Sequence, residues 1–398
     1  MRFLFLLVPL ALVIGVHVWV WWRLFGAPFR SRRARILGAL GIVALIACVP
    51  FALRPGLGGP AFLTVLAWIG CLYLASLFYL LLVLLVLEPV RLAAHVLWAR
   101  RPAPVPVAHA DAGPPADVSR TFDRRVFLAR ATAVTAGAVA LGTVGFGVAE
   151  ARNVRVKRVP ITLAKLDPRF DGFRFAVISD IHLSHTLRRP FLHGVVEQIN
   201  GLNADAVAVV GDLVDGSVHD LGHDAAELAN LRSRLGTYFV TGNHEYKYDL
   251  YDWLDYLPTL GVKLLRNERV DLGGFDLAGV NDVSAEDWDW KWPGQSADLD
   301  AALSGRDPDR PVVLLAHQPK QWPDAVRYGV DLQLSGHTHA GQAWPYDYVV
   351  AREQPVLAGR AVEGASQLYV TSGIGNAYVP VRVGAVPEIS LIELYSKV

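Results

Sequence analysis

Two regimes of polarity follow one another along the chain. Residues 3–22, 36–53 and 61–87 are uncharged and dominated by Leu, Val, Ala and aromatic side chains. Each comes near the roughly 18–20 residues that a helix needs to cross a bilayer. The third is longer, so it can tilt or start late. Trp19, Trp21 and Trp22 gather at one end of the first stretch, as interfacial aromatics do. A fourth stretch, residues 131–149, is Ala/Gly-rich and only mildly apolar. After residue 150 the pattern changes to short apolar runs broken by polar turns and helix-like stretches. The pattern predicts an all-α transmembrane region followed by an α/β domain over 151–398.

Within that domain, apolar runs end in the same way five times. "FRFAVISDIHLSH" is a buried strand by pattern and delivers Asp180 and His182. "DAVAVVGDLVDG" delivers Asp212 and Asp215, and "GTYFVTGNHEY" delivers Asn243, His244 and Glu245. "PVVLLAHQP" delivers His317, and "LQLSGHTHAG" delivers His337 and His339. Side chains two apart on an extended segment point the same way, so the last pair suggests a metal. In α/β folds ligands bind at the carboxyl ends of strands, which argues for one site shared by five loops. Each cluster alone is weak, since a strand-end Asp is usually a turn residue or a cap.

Composition narrows the reading. The 398 residues carry a net charge of +1, so no bulk basic field speaks for nucleic acid. Cys48 and Cys71 both lie in the apolar region, leaving the C-terminal domain without disulfides or thiolate ligands. Arg23, Arg30, Arg32, Arg33 and Arg35 lie between the first two spans. Arg91, Arg100, Arg101, Arg120, Arg124 and Arg125 lie between the third and fourth. The positive-inside rule places both loops in the cytoplasm and the domain outside it, on a multi-pass membrane protein. Arg152, Arg155, Lys157 and Arg158 weigh against that orientation. Residues 101–130 read as a linker, Pro/Ala-rich over 102–120 and ending in "FDRRVFLAR". That ending resembles a twin-arginine export signal, so 131–149 is either a retained fourth helix or a signal-like segment cut near Ala149–Ala151.

The ordered set Asp-x-His, Gly-Asp-x-x-Asp, Gly-Asn-His-Glu, His, Gly-His-x-His resembles the calcineurin-like metallophosphoesterases. With "LLAHQP" and the closing "YVTSGIGNAYVPVRVGAVPEISLIEL", it looks like their membrane-associated bacterial branch. One departure is Ala340, where that branch often has Gly. The resemblance implies a sandwich of two mixed β-sheets flanked by helices. It implies two divalent metal ions (Mn, Fe, Zn or similar). Asp180, His182 and His339 would hold one; Asn243, His317 and His337 would hold the other; Asp212 would bridge. A metal-bridging hydroxide would attack a phosphodiester, pyrophosphate or phosphomonoester, with His244 as acid, oriented by Asp215. His185, Arg188 and Arg189 are weaker candidates for substrate phosphate. "AEDWDWKWPG", with Trp288, Trp290 and Trp292, is a flap or an aromatic edge of the fold. Tethering to a bilayer favours a lipid-linked substrate. Other metallohydrolases fit poorly, because "HTHAGQ" lacks the Asp and final His of a His-x-His-x-Asp-His motif. The alternative is a polytopic membrane protein whose metal-binding domain is a sensor.

Overall fold

The computed structural model describes residues 2–54, 61–99 and 124–397. Four helices lead the chain: α1 (Arg2–Trp21), α2 (Arg32–Ala52), α3 (Ala61–Ala99) and α4 (Arg124–Glu150). All four are long and apolar enough to cross a membrane. Large apolar side chains stand exposed on them, Leu37 at 68%, Val134 at 70% and Val86 at 71%. A bilayer would cover such surface, whereas water would penalise it. A π-helical turn, Trp22–Gly26, follows α1.

Two boundaries differ from the sequence expectation. Helix α3 continues past residue 87 to Ala99, because Glu88 is neutralised one turn later by Arg91 at 2.9 Å. Helix α4 starts at Arg124, so the arginine pair opens a helix instead of closing a linker. No Gly or Pro interrupts Arg124–Arg130, and good helix formers fill it. Residues 101–123 of the expected linker lie outside the described residues.

The chain divides into two compact units, Met1–Pro50 with Ile69–Gly145, and Phe51–Trp68 with Phe146–Val398. The second contains twelve strands: β1 (Arg155–Leu163), β2 (Phe173–Ile178), β3 (Ala206–Val210), β4 (Thr237–Val240), β5 (Val262–Leu264), β6 (Glu268–Asp271), β7 (Asp276–Gly279), β8 (Val312–Leu315), β9 (Leu332–Ser335), β10 (Gly359–Glu363), β11 (Ser366–Val370) and β12 (Glu388–Ser396). They form two mixed six-stranded sheets, ordered β1-β12-β2-β3-β4-β5 and β10-β11-β9-β8-β7-β6. Phe175, Val177, Ala208 and Val210 from the first sheet share a core with Val313, Leu315, Leu332 and Leu334 from the second. The other face of the first sheet buries Ala176, Ile178, Val207 and Val209. Over it pack α5 (Arg189–Asn200), α6 (Val218–Ala225) and α8 (Leu250–Thr259) through Leu192, Val196, Leu221, Trp253 and Leu257, while α7 (Asn243–Lys247) packs beside α8 through Tyr246. Burial on both faces explains why β3, and β2 beyond Arg174, read as unbroken apolar runs.

Candidate metal centre

Strands β2, β3 and β4 are parallel neighbours in one sheet, and β8 and β9 are parallel neighbours in the other. Their carboxyl ends therefore open together, and the loops beyond them meet. The crossings are fixed by backbone bonds, Asp180 N to Gly211 O at 3.0 Å and Gly336 N to His317 O at 2.9 Å. The turns are tight. Asp180, His182, Asp212, His337 and His339 all adopt left-handed φ, between 47° and 70°. That conformation is unfavourable for residues with a Cβ, and such strain concentrates at functional sites. Gly336 is required by close approach, since a Cβ there would collide with Ser179 Oγ and Asp180 Oδ2.

Two groups of donor atoms that could hold a metal ion result, and a third, His182, Asp212 and His244, overlaps both. In the first, Asp180, His182 and His339 bring their donor atoms within 4.8 Å of one another. His182 Nε2 faces His339 Nε2 at 3.0 Å, and His339 Nε2 lies 3.3 Å from Asp180 Oδ1. In the second, Asp212, His317 and His337 are gathered in the same way. His317 Nε2 lies 3.3 Å from Asp212 Oδ2, and Asn243 Oδ1 meets His337 Nδ1 at 2.8 Å. Asp212 Oδ2 also lies 3.7 Å from His182 Nε2, so this carboxylate touches both sets. All these side chains are buried except Asn243 and His337, which are half-buried. His317 fits a cation well. Its Nδ1 is fixed on Val210 O at 2.7 Å, while its buried Nε2 has no hydrogen-bond partner. Imidazole nitrogen with carboxylate and amide oxygen suits Mn, Fe or Zn.

Charges inside the cluster oppose one another. Burial pulls His182 down, but the carboxylates of Asp215, Asp212 and Asp180 outweigh it and push the imidazole up to about 9. His317 is likewise pushed up, with Asp212 the main cause against burial. Burial holds His337 down at about 3, and burial with the charge on His182 holds His339 well below the usual imidazole range. Two imidazoles are thus pushed toward the protonated form, in which a divalent cation would displace the proton, and two are held toward the neutral form.

The loops around the ligands are pinned by neighbours. Glu245, at the start of α7, accepts from the backbone N–H groups of Gly242 (2.6 Å), Asp212 (3.0 Å) and Leu213 (2.8 Å). Asp215 accepts from His182 and from His244, whose own backbone N–H donates to Asp212 Oδ1 at 2.8 Å. Two of the weaker substrate candidates are held by carboxylates. Arg188 pairs with Asp224 at 3.1 Å and Arg189 with Glu227 at 2.5 Å. His185 and Arg188 line a cleft of about 610 Å³ together with Trp68 and Arg152. Of the three Trp residues in "AEDWDWKWPG", Trp292 donates to Tyr246 O at 2.8 Å, Trp288 packs beside Tyr246 and Leu250, and Trp290 is 78% exposed.

Three residues near the site were not singled out in the sequence. Arg382 is wholly buried, donates to the carbonyls of Gly375 (2.8 Å) and Ser372 (2.9 Å), and lies 3.3 Å from His339 Nδ1. Burial lowers its guanidinium to about 10. A lone cation inside the apolar run "YVPVRVGAV" was the available signal. Tyr378, at φ 57°, places its ring 6.1 Å from His244, opposite no recognisable motif. Asp282 follows β7, so the strand-end device occurs a sixth time. Its Oδ1 accepts from Gln318 Nε2 at 2.7 Å, while Oδ2 is buried without a partner.

Fold and site together define a two-sheet α/β sandwich with paired His/Asp clusters at its strand ends. The profile of the calcineurin-like phosphoesterases matches residues 173–341. A metallophosphoesterase of Aquifex aeolicus is 31% identical over 251 residues, covering 61% of this chain and 93% of that protein. A metallophosphoesterase of Helicobacter pylori is 39% identical over 245 residues, 61% of this chain and 64% of its own. A Danio rerio protein described as a transmembrane protein with a metallophosphoesterase domain is 36% identical over 255 residues, 61% of this chain and 58% of its own. The match thus spans just under two thirds of the Helicobacter relative's length. The chain belongs to the calcineurin-like phosphoesterase family.

Proposed function

We propose that the protein is a membrane-tethered phosphoesterase that uses two divalent cations to hydrolyse a phosphodiester, pyrophosphate or phosphomonoester. The observation that carries this reading is the pair of ligand sets meeting at Asp212, with His244 beside them. Asp180, His182 and His339 would hold one ion, and Asn243, His317 and His337 the other. Asp212 would touch both. Such a pair activates water near neutral pH and neutralises phosphate oxygens. His244 supplies what the cations cannot, a proton for the leaving oxygen. Its Nδ1 is engaged by Asp215, which leaves Nε2 for that transfer. No Ser or Cys nucleophile is needed.

The domain is proposed to lie on the extracytoplasmic face of a bacterial cytoplasmic membrane. The Arg-rich loops support that side. A lipid-linked substrate is favoured by the cleft that carries His185 and Arg188 beside Arg152, whose guanidinium lies 5.3 Å over the Trp68 ring. The full chain in detergent is expected to cleave an activated aryl phosphodiester only with added Mn²⁺ or a similar ion. Asp212→Asn should abolish turnover while folding is retained. Binding of two metals without cleavage of aryl esters, sugar-nucleotide pyrophosphates or phospholipids would refute the reading.

A further inference from the structure

We propose, resting on the phosphoesterase reading, that Tyr378 sets the specificity of the metal centre by holding its ring against the leaving group of the substrate, and that this leaving group carries an aromatic ring. Tyr378 places its ring 6.1 Å from the His244 imidazole, tilted by 60°. Tyr248 places a second ring 6.5 Å from the same imidazole, tilted by 50°. His244 is the proposed proton donor to the leaving oxygen, so the group that departs with that proton leaves beside these two rings.

The backbone is built to hold the Tyr378 ring in place. Tyr378 is the centre of a three-residue turn at φ 57°, with the Val379 N–H donating to Ala377 O at 2.6 Å. Such turns at positive φ are rare and strained, the more so under a bulky side chain. Gln342 is the centre of a second one at φ 52°, with the Ala343 N–H donating to Gly341 O at 2.5 Å. The buried Gln342 side chain joins the two turns. Its Oε1 accepts from the Ala377 N–H at 2.8 Å, and its Nε2 donates to Ala377 O and Val379 O, both at 3.1 Å. Both neighbours of Tyr378 are thereby fixed to the loop that carries His339. Strain of this kind persists only where the surroundings over-determine it, and it collects at ligand clamps.

A clamp that only stabilised the fold would bury the ring it holds, yet Tyr378 is 55% exposed. Desolvation, and after it the charge of Asp215, push the phenols of Tyr248 and Tyr378 above their ordinary value. Both therefore stay neutral, and both stand near the carboxylate that orients His244. Cations attract a phosphate whatever it carries, so discrimination among phosphoesters falls to the groups that face the leaving side. A neutral aromatic face favours a flat ring, which stacks on it. An open alkyl chain gains less, because it loses torsional freedom when laid along a ring.

The test uses the full chain in detergent, loaded with Mn²⁺, and two unreactive ligands with the same number of carbons, phenylphosphonate and n-hexylphosphonate. Titration calorimetry reads their binding, with inorganic phosphate as the reference. Phenylphosphonate should bind roughly tenfold tighter than n-hexylphosphonate. Tyr378→Ala should remove that preference while phosphate binding and metal content hold, and Tyr378→Phe, which keeps the ring, should retain it. Equal binding of the two phosphonates by the unaltered protein, which needs no variant to be folded, overturns the proposal. A preference that survives Tyr378→Ala overturns it, as does a loss shared equally by all three ligands, which assigns the ring to structure. A Tyr378→Phe protein that behaves as Tyr378→Ala does also overturns it, since the hydroxyl then acts and not the ring. Binding is read without turnover. A protein that prefers the phenyl ligand yet cleaves no phosphoester refutes the phosphoesterase reading alone, and one that cleaves phosphoesters without the preference refutes the role of Tyr378 alone.

Discussion

One carboxylate oxygen, Asp215 Oδ1, binds two imidazoles: His182 through Nδ1 at 3.0 Å and His244 through Nδ1 at 2.5 Å. The His182 and His244 rings stand edge to face, 4.6 Å apart. A ligand of the first metal set and the proposed proton donor are therefore oriented by the same atom. Asp215 itself is held well below the usual carboxylate range, because the charges of His182 and His244 outweigh its burial.

Asp215→Asn should damage both functions at once. Loss of an orienting partner typically costs 10–100-fold in metal affinity or activity. Metal content at the first set and kcat should both fall, whereas His244→Ala should lower kcat with metal content intact. Metal analysis alongside steady-state kinetics separates the two. An Asp215→Asn protein with full metal and unchanged kcat would refute the shared role.

His337 and His339 fall in different groups of candidate donors, although they are two residues apart. His337→Ala and His339→Ala should each lose about one metal equivalent per chain, and not the same one. Anomalous scattering from crystals of each variant would show which position empties. Depletion of the same position in both would overturn the assignment.

Metal uptake should release protons. His182, raised to about 9, carries a proton at pH 7.5 in the metal-free protein, and a cation needs the neutral imidazole. The sign for stability follows from the same shift. In the metal-free protein this group stabilises fully below the ordinary value near 6.5, and its contribution is lost as pH rises through about 9. Apparent metal affinity should therefore increase with pH over that window. Calorimetry in two buffers of different ionisation enthalpy should register at least one proton released per chain at pH 7.5.

Arg382→Met would strand the carbonyls of Ser372, Gly373 and Gly375 and remove the cation beside His339. Losing a buried cation with its hydrogen bonds costs about 3 kcal/mol. Arg382→Lys should recover little of it, since a single ammonium cannot reach carbonyls arranged for a planar fork. Thermal denaturation of the metal-loaded full chain measures both.

Much was legible in the sequence because burial writes itself into composition. Strands covered on both faces are mostly apolar, so β3, β8 and most of β2 and β9 stood out, and the polar residues after them marked the site. Apolar stretches of membrane length stood out for the same reason. Helix boundaries were less legible. The charges at Glu88, Arg91 and Arg124 look like helix ends until ion pairing and helix propensity are considered. The ion pairs of Arg188 and Arg189 were also hidden, because they depend on Asp224 and Glu227, more than thirty residues away.

The sequence by itself determined which residue types could bind metal and that they arrive at strand ends. Only the tertiary structure decided how they divide. His182 meets His339 across 157 residues of chain, and His337 meets Asn243 across 94. Which imidazole faces which carboxylate depends on the order of strands within each sheet and on the left-handed turns beyond them. Neither is local, so no window of sequence encodes them. The same holds for Arg382, whose partners are chosen by where the last loop folds back over His339.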